Sequence, residues 1–311
     1  MSAPFRIYSS SLLFVGDLEA SMTLLALGLV LASAFAHVTW NYLTKASRDP
    51  HAFSWAFTFT AGLIYLPIAL VVAVRQPPPA RAWLLVAGTV ALHVIYFRLL
   101  NASYAKADLS IVYPFARGTG LLLTPIGAVL LLGERISFGA ALSIGIIILG
   151  VLTLHSRGGG IAAARGLVAS LAEPGSGLAA LTGVVIAGYS LWDKNALTLL
   201  SPVVLDTGIF LGQAVVNAPI MLARRREAVL DEIRRRPGAI LAAAILAPSA
   251  YLLVLTALTF SQVAYVSPTR EIGIVLGTLL GALNLKEPFR GNRLVGSALI
   301  VFGVFGLAIS A

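Results

Sequence analysis

Residues 109–132 read LSIVYPFARGTGLLLTPIGAVLLL, and residues 263–285 read VAYVSPTREIGIVLGTLLGALNL. Each is long enough to cross a hydrocarbon core about 30 Å thick, which takes roughly 20 apolar residues as a helix. Each also carries a proline with an ionisable residue three positions beyond it: Pro114 and Arg117 in the first, Pro268 and Glu271 in the second. Ionisable groups near mid-membrane cost about 2.5–3.5 kcal/mol each on insertion scales, so they face a bundle interior or a wet cavity. Two apolar runs with matched prolines and matched but opposite charges point to a duplicated membrane unit.

The rest of the chain follows this pattern. Of 311 residues, 58% are hydrophobic and 11% charged, against about 25% charged in a soluble domain. So few charges cannot cover a water-facing surface. Ten runs of spanning length can be marked: Met22–Thr44, Phe53–Val74, Ala82–Ala105, Leu109–Leu132 and Ile136–Leu154, then Gly177–Leu197, Pro202–Leu222, Gly238–Phe260, Val263–Leu285 and Gly291–Ser310. Polar or turn-rich separators divide them. The expected architecture is an all-α polytopic membrane protein of ten transmembrane helices. Residues 1–21 form an N-terminal lead, expected to be disordered. Residues 22–155 hold the first five runs, 156–176 a linker with three consecutive glycines, and 177–311 the second five.

The two halves match in order. His37, Trp40 and Asn41 have the spacing of Tyr189, Trp192 and Asp193. Leu132-Gly133-Glu134 follows run four as Leu285-Lys286-Glu287 follows run nine, and glycines recur in the last run of each half at Gly145, Gly150, Gly296 and Gly303. With an odd number of spans per unit, the second copy enters the membrane inverted, an arrangement found in many secondary transporters.

The formal charge is +9, and its excess sits in short loops, as in topology signalling. Loops after odd-numbered runs, taken with Arg293 at the head of the tenth run, carry 14 lysines and arginines; the N-terminus and the loops after even-numbered runs carry 4. The positive-inside rule then places the odd loops in the cytoplasm and both termini outside. Arg224 to Arg236 holds six arginines and three carboxylates and is expected to form a short amphipathic helix at the membrane surface, not a nucleic-acid site. With no cysteine, disulfides, thiolate metal sites and cysteine catalysis are excluded.

Ionisable residues inside the runs are His37, Arg98, Arg117, Asp193, Arg270 and Glu271, with Lys194 beside Asp193 at either the interior or the interface. His37, Trp40 and Asn41 share one helix face. Trp40 and Asn41 either wall a cavity for a small polar solute or serve as belt and interhelical glue. An imidazole ordinarily titrates near neutrality, which makes His37 a proton-coupling candidate. Pro114 and Pro268 remove backbone donors, and the freed carbonyls need a partner that a cavity can supply. Tyr113 and Arg117 share a face; the planar fork of arginine suits a carboxylate or phosphate. Glu271 or Asp193 can receive an ammonium or exchange a proton. The alternative is an internal Arg117–Glu271 pair that only holds the halves in register. No paired histidines at metal spacing, nucleophile elbow or phosphate-binding loop is present, so no enzyme, metal or cofactor is expected.

These motifs, above all His37-Val38-Thr39-Trp40-Asn41 with Lys45, Ala107-Asp108-Leu109-Ser110-Ile111-Val112-Tyr113-Pro114 leading into Ala116-Arg117-Gly118, and Leu132-Gly133-Glu134-Arg135, resemble the EamA type of the drug/metabolite transporter superfamily over about Met22 to Ser310. The resemblance implies two five-helix repeats around a central cavity and proton-linked or gradient-driven export of amino acids and related metabolites. It also implies cytoplasmic termini, the opposite of the charge count. The expectation is a multi-pass plasma-membrane carrier, in the inner membrane of a bacterial cell. It works by alternating access on a small polar metabolite bound by Trp40, Asn41, Tyr113, Arg117, Trp192, Asp193, Arg270 and Glu271. His37, Asp193 and Glu271 are its proton-coupling candidates; its partners are the solute, the bilayer and protons. The rivals are a cation or drug exporter and a non-transporting scaffold or lipid-handling enzyme.

Overall fold

The computed structural model describes residues 23–107, 109–155, 175–284 and 291–310. The N-terminal lead, nearly all of the glycine linker and the Lys286-Glu287 motif lie outside the described residues. The helices are α1 (Leu24–Lys45), α2 (Pro50–Arg75), α3 (Ala82–Tyr104), α4 (Leu109–Leu132), α5 (Phe138–His155), α6 (Ser176–Ala196), α7 (Pro202–Arg224), α8 (Arg226–Arg235), α9 (Pro237–Phe260), α10 (Val263–Thr269), α11 (Ile272–Asn284) and α12 (Gly291–Ile309).

Local chemistry sets where several of them start. Thr23 caps α1 by accepting the Ala26 N–H at 3.1 Å. Asp49 caps α2 by accepting the N–H groups of His51 and Ala52, each at 3.0 Å, and Pro50 opens the helix, where a missing N–H costs nothing. Among the described residues seven helices are long and apolar enough to cross a bilayer: α1, α2, α3, the Phe115–Leu132 part of α4, α7, α9 and α12. The other three expected spans depart from the pattern for visible reasons. Helix α5 has only 18 residues. Helix α6 carries Asp193, Lys194 and Asn195 in its last turns. The ninth run is not one helix but two, α10 and α11, parted at Arg270–Glu271 just after Pro268.

The packing relates the two halves by a pseudo-twofold. Helix α5 packs on α12, the fifth run of one half on the fifth of the other, and α2 packs on α7, second on second. The first run of each half packs on the third of the other (α1 on α9, α6 on α3), and the first on the fourth (α6 on α4, α1 on α10 and α11). Such reciprocal pairing is what a self-complementary interface requires. Two further prolines repeat with it: Pro50 and Pro202 open α2 and α7, and Pro67 and Pro219 lie the same distance along each. Small residues bring backbones together where the halves meet. A Cβ on Gly296 would stand 2.7 Å from the Gly150 carbonyl oxygen, and one on Gly183 would stand 2.6 Å from that of Ala116; small residues drive helix association in lipid in this way. Gly145, by contrast, faces open space.

Two carboxylates clamp helix starts. Gly133, with φ of 71°, turns the chain after α4, and Glu134 then accepts the N–H groups of Val263 and Ala264 at 2.8 and 2.9 Å at the head of α10. Glu232 on the amphipathic helix α8 is 1% exposed. It accepts the N–H groups of Arg48 and Asp49 at 2.7 and 2.9 Å, ahead of α2. Arg225 meets Asp49 at 2.6 Å beside it. In that pocket, desolvation pulls the Asp49 carboxyl up, but the Ala52 N–H, the Arg225 guanidinium and the His51 N–H outweigh it and hold the group below the usual carboxylate range.

Candidate functional site

The break between α10 and α11 builds the site. Pro268 has no N–H to continue the helical ladder. The chain tightens instead: Glu271 N–H reaches back to the Pro268 carbonyl at 3.1 Å, Gly273 N–H to Arg270 at 3.0 Å and Ile274 N–H to Glu271 at 2.9 Å. These three-residue steps aim Arg270 and Glu271 inward at the level where α4 presents Arg117. Arg117 Nη2 stands 3.2 Å from Glu271 Oε1, with the side chains 22% and 7% exposed. The contact leaves Arg117 Nε and Glu271 Oε2 buried without hydrogen-bond partners. The guanidinium also stands 6.0 Å from the centre of the Tyr113 ring, one turn back on α4.

A small cleft opens beside the pair. Its polar wall is Arg117, Arg270, Glu271, Tyr189, Ser190 and Ser267, and Leu121 and Ile186 supply apolar surface. Close packing of α4 on α6 at Gly120 and Gly183 sets Tyr189 and Ser190 opposite Arg117. Arg270 joins this cavity to a second polar cluster, its guanidinium 5.5 Å from the centre of the Tyr251 ring. There Asp193, fully buried, accepts from the Thr89 hydroxyl on α3 and from the Tyr251 hydroxyl on α9, the latter at 2.5 Å. His93 lies against Tyr189 with ring centres 4.4 Å apart and planes tilted by 30°, and its Nδ1 lies 2.9 Å from the Thr89 carbonyl.

Of the residues expected to bind, Arg117, Arg270 and Glu271 line the cavity, Tyr113 borders it and Asp193 lies in the adjoining cluster. Three are elsewhere. Trp192 donates its indole N–H to the Leu85 carbonyl at 2.8 Å and lies over Gly88, where it fastens α6 to α3. Asn41 is exposed and donates to the His37 carbonyl of its own helix at 2.7 Å. Trp40 packs on Phe57 of α2 with ring centres 5.5 Å apart, its indole N–H buried without a partner. His37 stands edge-on to Trp40 with ring centres 5.1 Å apart. Arg98 is exposed on the outer face of α3, within reach of the interface for so long a side chain. Lys194 donates to the carbonyls of Leu258 and Ser261 at 2.7 and 2.9 Å, closing the C-terminal end of α9, where a cation suits the helix dipole.

His93 and Asp206, both buried, and the half-buried Tyr251 are polar groups the sequence reading passed over. The signal was present for the first two, since each is an ionisable residue inside an apolar run.

The comparisons agree with this architecture. The EamA-like transporter family matches residues 21–155 and 174–309, one match per half. A solved crystal structure superposes on 91% of this chain and 96% of its own length with a TM-score of 0.66 at 18% identity, a likeness of fold. No curated protein matches the chain. With both halves matched, the reciprocal helix pairing and the spans in place, the chain belongs to the EamA-like transporter family and is a multi-pass membrane protein.

Proposed function

We propose that the chain is an alternating-access carrier of a small zwitterionic or anionic metabolite, amino acids or related carboxylates being the best fit, working as an exporter in the plasma membrane, the inner membrane of a bacterial cell. Ten spans in two inverted repeats would rock about the cavity between them. The observation that carries the reading is the unfilled valence of the Arg117–Glu271 pair. Arg117 keeps a free, buried Nε donor, Glu271 a free, buried Oε2 acceptor, and Arg270 adds a second cation to the same wall. A solute carboxylate suits the guanidiniums, and an ammonium suits the open carboxyl oxygen. The two arginines against one carboxylate leave a surplus positive charge that disfavours a cationic drug.

Binding can couple to the proton gradient at the same place. A solute carboxylate competing for Arg117 loosens the 3.2 Å contact and leaves Glu271 to take up a proton, because an uncompensated charge in that setting is not sustained. A thermal-shift screen of purified protein against glycine, alanine, glutamate and a quaternary ammonium tests the class, since a ligand of the folded form alone raises the melting temperature. Stabilisation by the amino acids is expected. Stabilisation by the ammonium compound alone contradicts the reading.

A further inference from the structure

Helix α8 stands between two spanning helices, joined to α7 through Arg225 and to α9 through Arg236. With one residue on either side, it cannot leave the membrane boundary where α7 ends and α9 begins. Its inner side is fixed: Val229 and Glu232 are 3% and 1% exposed, and Glu232 holds the Arg48 and Asp49 N–H groups ahead of α2. Arg226, Leu230, Ile233 and Arg234 follow at three- and four-residue spacing and so share a face. All four are exposed, Leu230 at 38% and Ile233 at 43%.

The arginines of this stretch divide by partner. Arg225 meets Asp49, Arg235 meets Asp231 at 2.5 Å, and Arg236 lies 5.6 Å from the centre of the Phe53 ring. Arg224, Arg226 and Arg234 are exposed and make no ion pair or hydrogen bond among the described residues. Asp231 and Glu232 are taken up by the contacts above, which leaves exposed Glu227 against three guanidiniums. The outer face therefore combines apolar side chains with surplus positive charge at the edge of the bilayer. A helix of that kind seats its apolar side at the acyl boundary and draws anionic lipid to its basic side, and a guanidinium fork matches phosphate oxygens.

We propose that this face of α8 binds the headgroups of anionic phospholipids in the leaflet it borders. Arg226 and Arg234 take the phosphate oxygens, and Leu230 and Ile233 rest against the first carbons of the acyl chains. A zwitterionic headgroup offers the same phosphate but offsets it with an ammonium, so the surplus of guanidiniums selects the net-negative lipid. Because Glu232 ties the same helix to the chain ahead of α2, a bound lipid holds α8 and the α1–α2 turn to the surface together. The site is separate from the Arg117–Glu271 cleft and does not depend on the carrier reading.

Fluorescence quenching by brominated lipids tests it. Leu230→Cys gives the full chain a sole cysteine, and a bimane label there keeps the position apolar. The labelled protein is reconstituted in phosphatidylcholine bilayers at low salt. Quenching by brominated phosphatidylglycerol is then compared with quenching by brominated phosphatidylcholine at equal mole fraction. A basic residue close to an anionic surface is worth roughly fivefold in affinity, so a preference of about fivefold or more for phosphatidylglycerol is expected. It should fall towards unity when Arg226→Gln and Arg234→Gln are added together, and also in about 1 M NaCl, which screens charge beyond roughly 3 Å. Both arginines are exposed and unpaired, so the fold should tolerate their loss; should it not, the salt series on the labelled protein alone decides. Equal quenching by the two lipids, or a preference that the double substitution or the salt leaves unchanged, overturns the proposal.

Discussion

Replacing Arg117 by alanine removes one partner of a pair whose other member is 7% exposed. Breaking a buried pair this way typically costs about 3–5 kcal/mol, because the remaining charge is left uncompensated. The low end, about 3 kcal/mol, is expected here, since Arg270 remains on the same wall as Glu271 and the Arg117 side chain is 22% exposed. Arg117→Lys keeps the charge without the planar fork and should lose less stability but still lose affinity for a carboxylate. In Arg117→Ala with Glu271→Ala no stranded charge remains, so most of the stability should return, with a coupling energy in the usual range of about 0.5–3 kcal/mol for residues in contact. Transport should not return with it. Thermal denaturation in detergent reads the first quantity, and counterflow in proteoliposomes the second. A double variant that transports as the wild type does would show that the pair only holds the halves in register. An Arg117→Ala protein as stable as wild type would show that Glu271 never needed its partner.

Four other expectations follow from the same geometry. Glu134→Ala strands the N–H groups of Val263 and Ala264 and should destabilise the fold by about 1–3 kcal/mol, the usual cost of an unsatisfied buried donor, read by thermal denaturation. Because the Asp49 carboxyl is held below its usual range, its stabilising effect is present above the unfolded value of about 3.9 and is lost as pH falls through the folded value; Asp49→Asn should reduce that acid-side loss of melting temperature, slightly, as the group is largely solvated. Asn41→Ala should leave counterflow and stability near wild type, since the side chain is exposed and bonds its own helix; lost transport at full stability would return it to the site. A cysteine at Ala228, in a chain that has none, should resist impermeant maleimide in intact cells if the six nearby arginines mark the cytoplasmic face; labelling would reverse the topology.

Much of the fold was legible because spanning length and low charge are one-dimensional properties. The duplication was legible too, since Trp40 and Trp192, or Pro114 and Pro268, keep their order. The break at Arg270 was foreshadowed by Pro268 but not drawn, because a proline loosens a helix without saying whether the chain will re-form it beyond. In the site, matched positions in inverted repeats brought Arg117 and Glu271 together across the pseudo-twofold, and this pairing was readable. Trp192 and Asn41 were not: spacing shows which residues share a helix face, not what that face meets. Trp192 meets the Leu85 carbonyl and the bare surface of Gly88. Tyr251 was hidden for the opposite reason, a single phenol on a helix otherwise rich in alanine and leucine.

The claim at the centre of this account is that the Arg117–Arg270–Glu271 wall carries a carboxylate-bearing solute across the membrane. The direct test is counterflow into proteoliposomes preloaded with unlabelled amino acid, comparing radiolabelled glycine, alanine and glutamate with a labelled quaternary ammonium, in wild type and in Arg117→Lys. The account predicts that wild type accumulates at least one labelled amino acid and not the ammonium. It also predicts that Arg117→Lys, present at normal yield, needs roughly tenfold more solute for the same rate, the equivalent of about 1.4 kcal/mol of binding. Accumulation of the ammonium alone, or an Arg117→Lys protein indistinguishable from wild type on the amino acid, would contradict it.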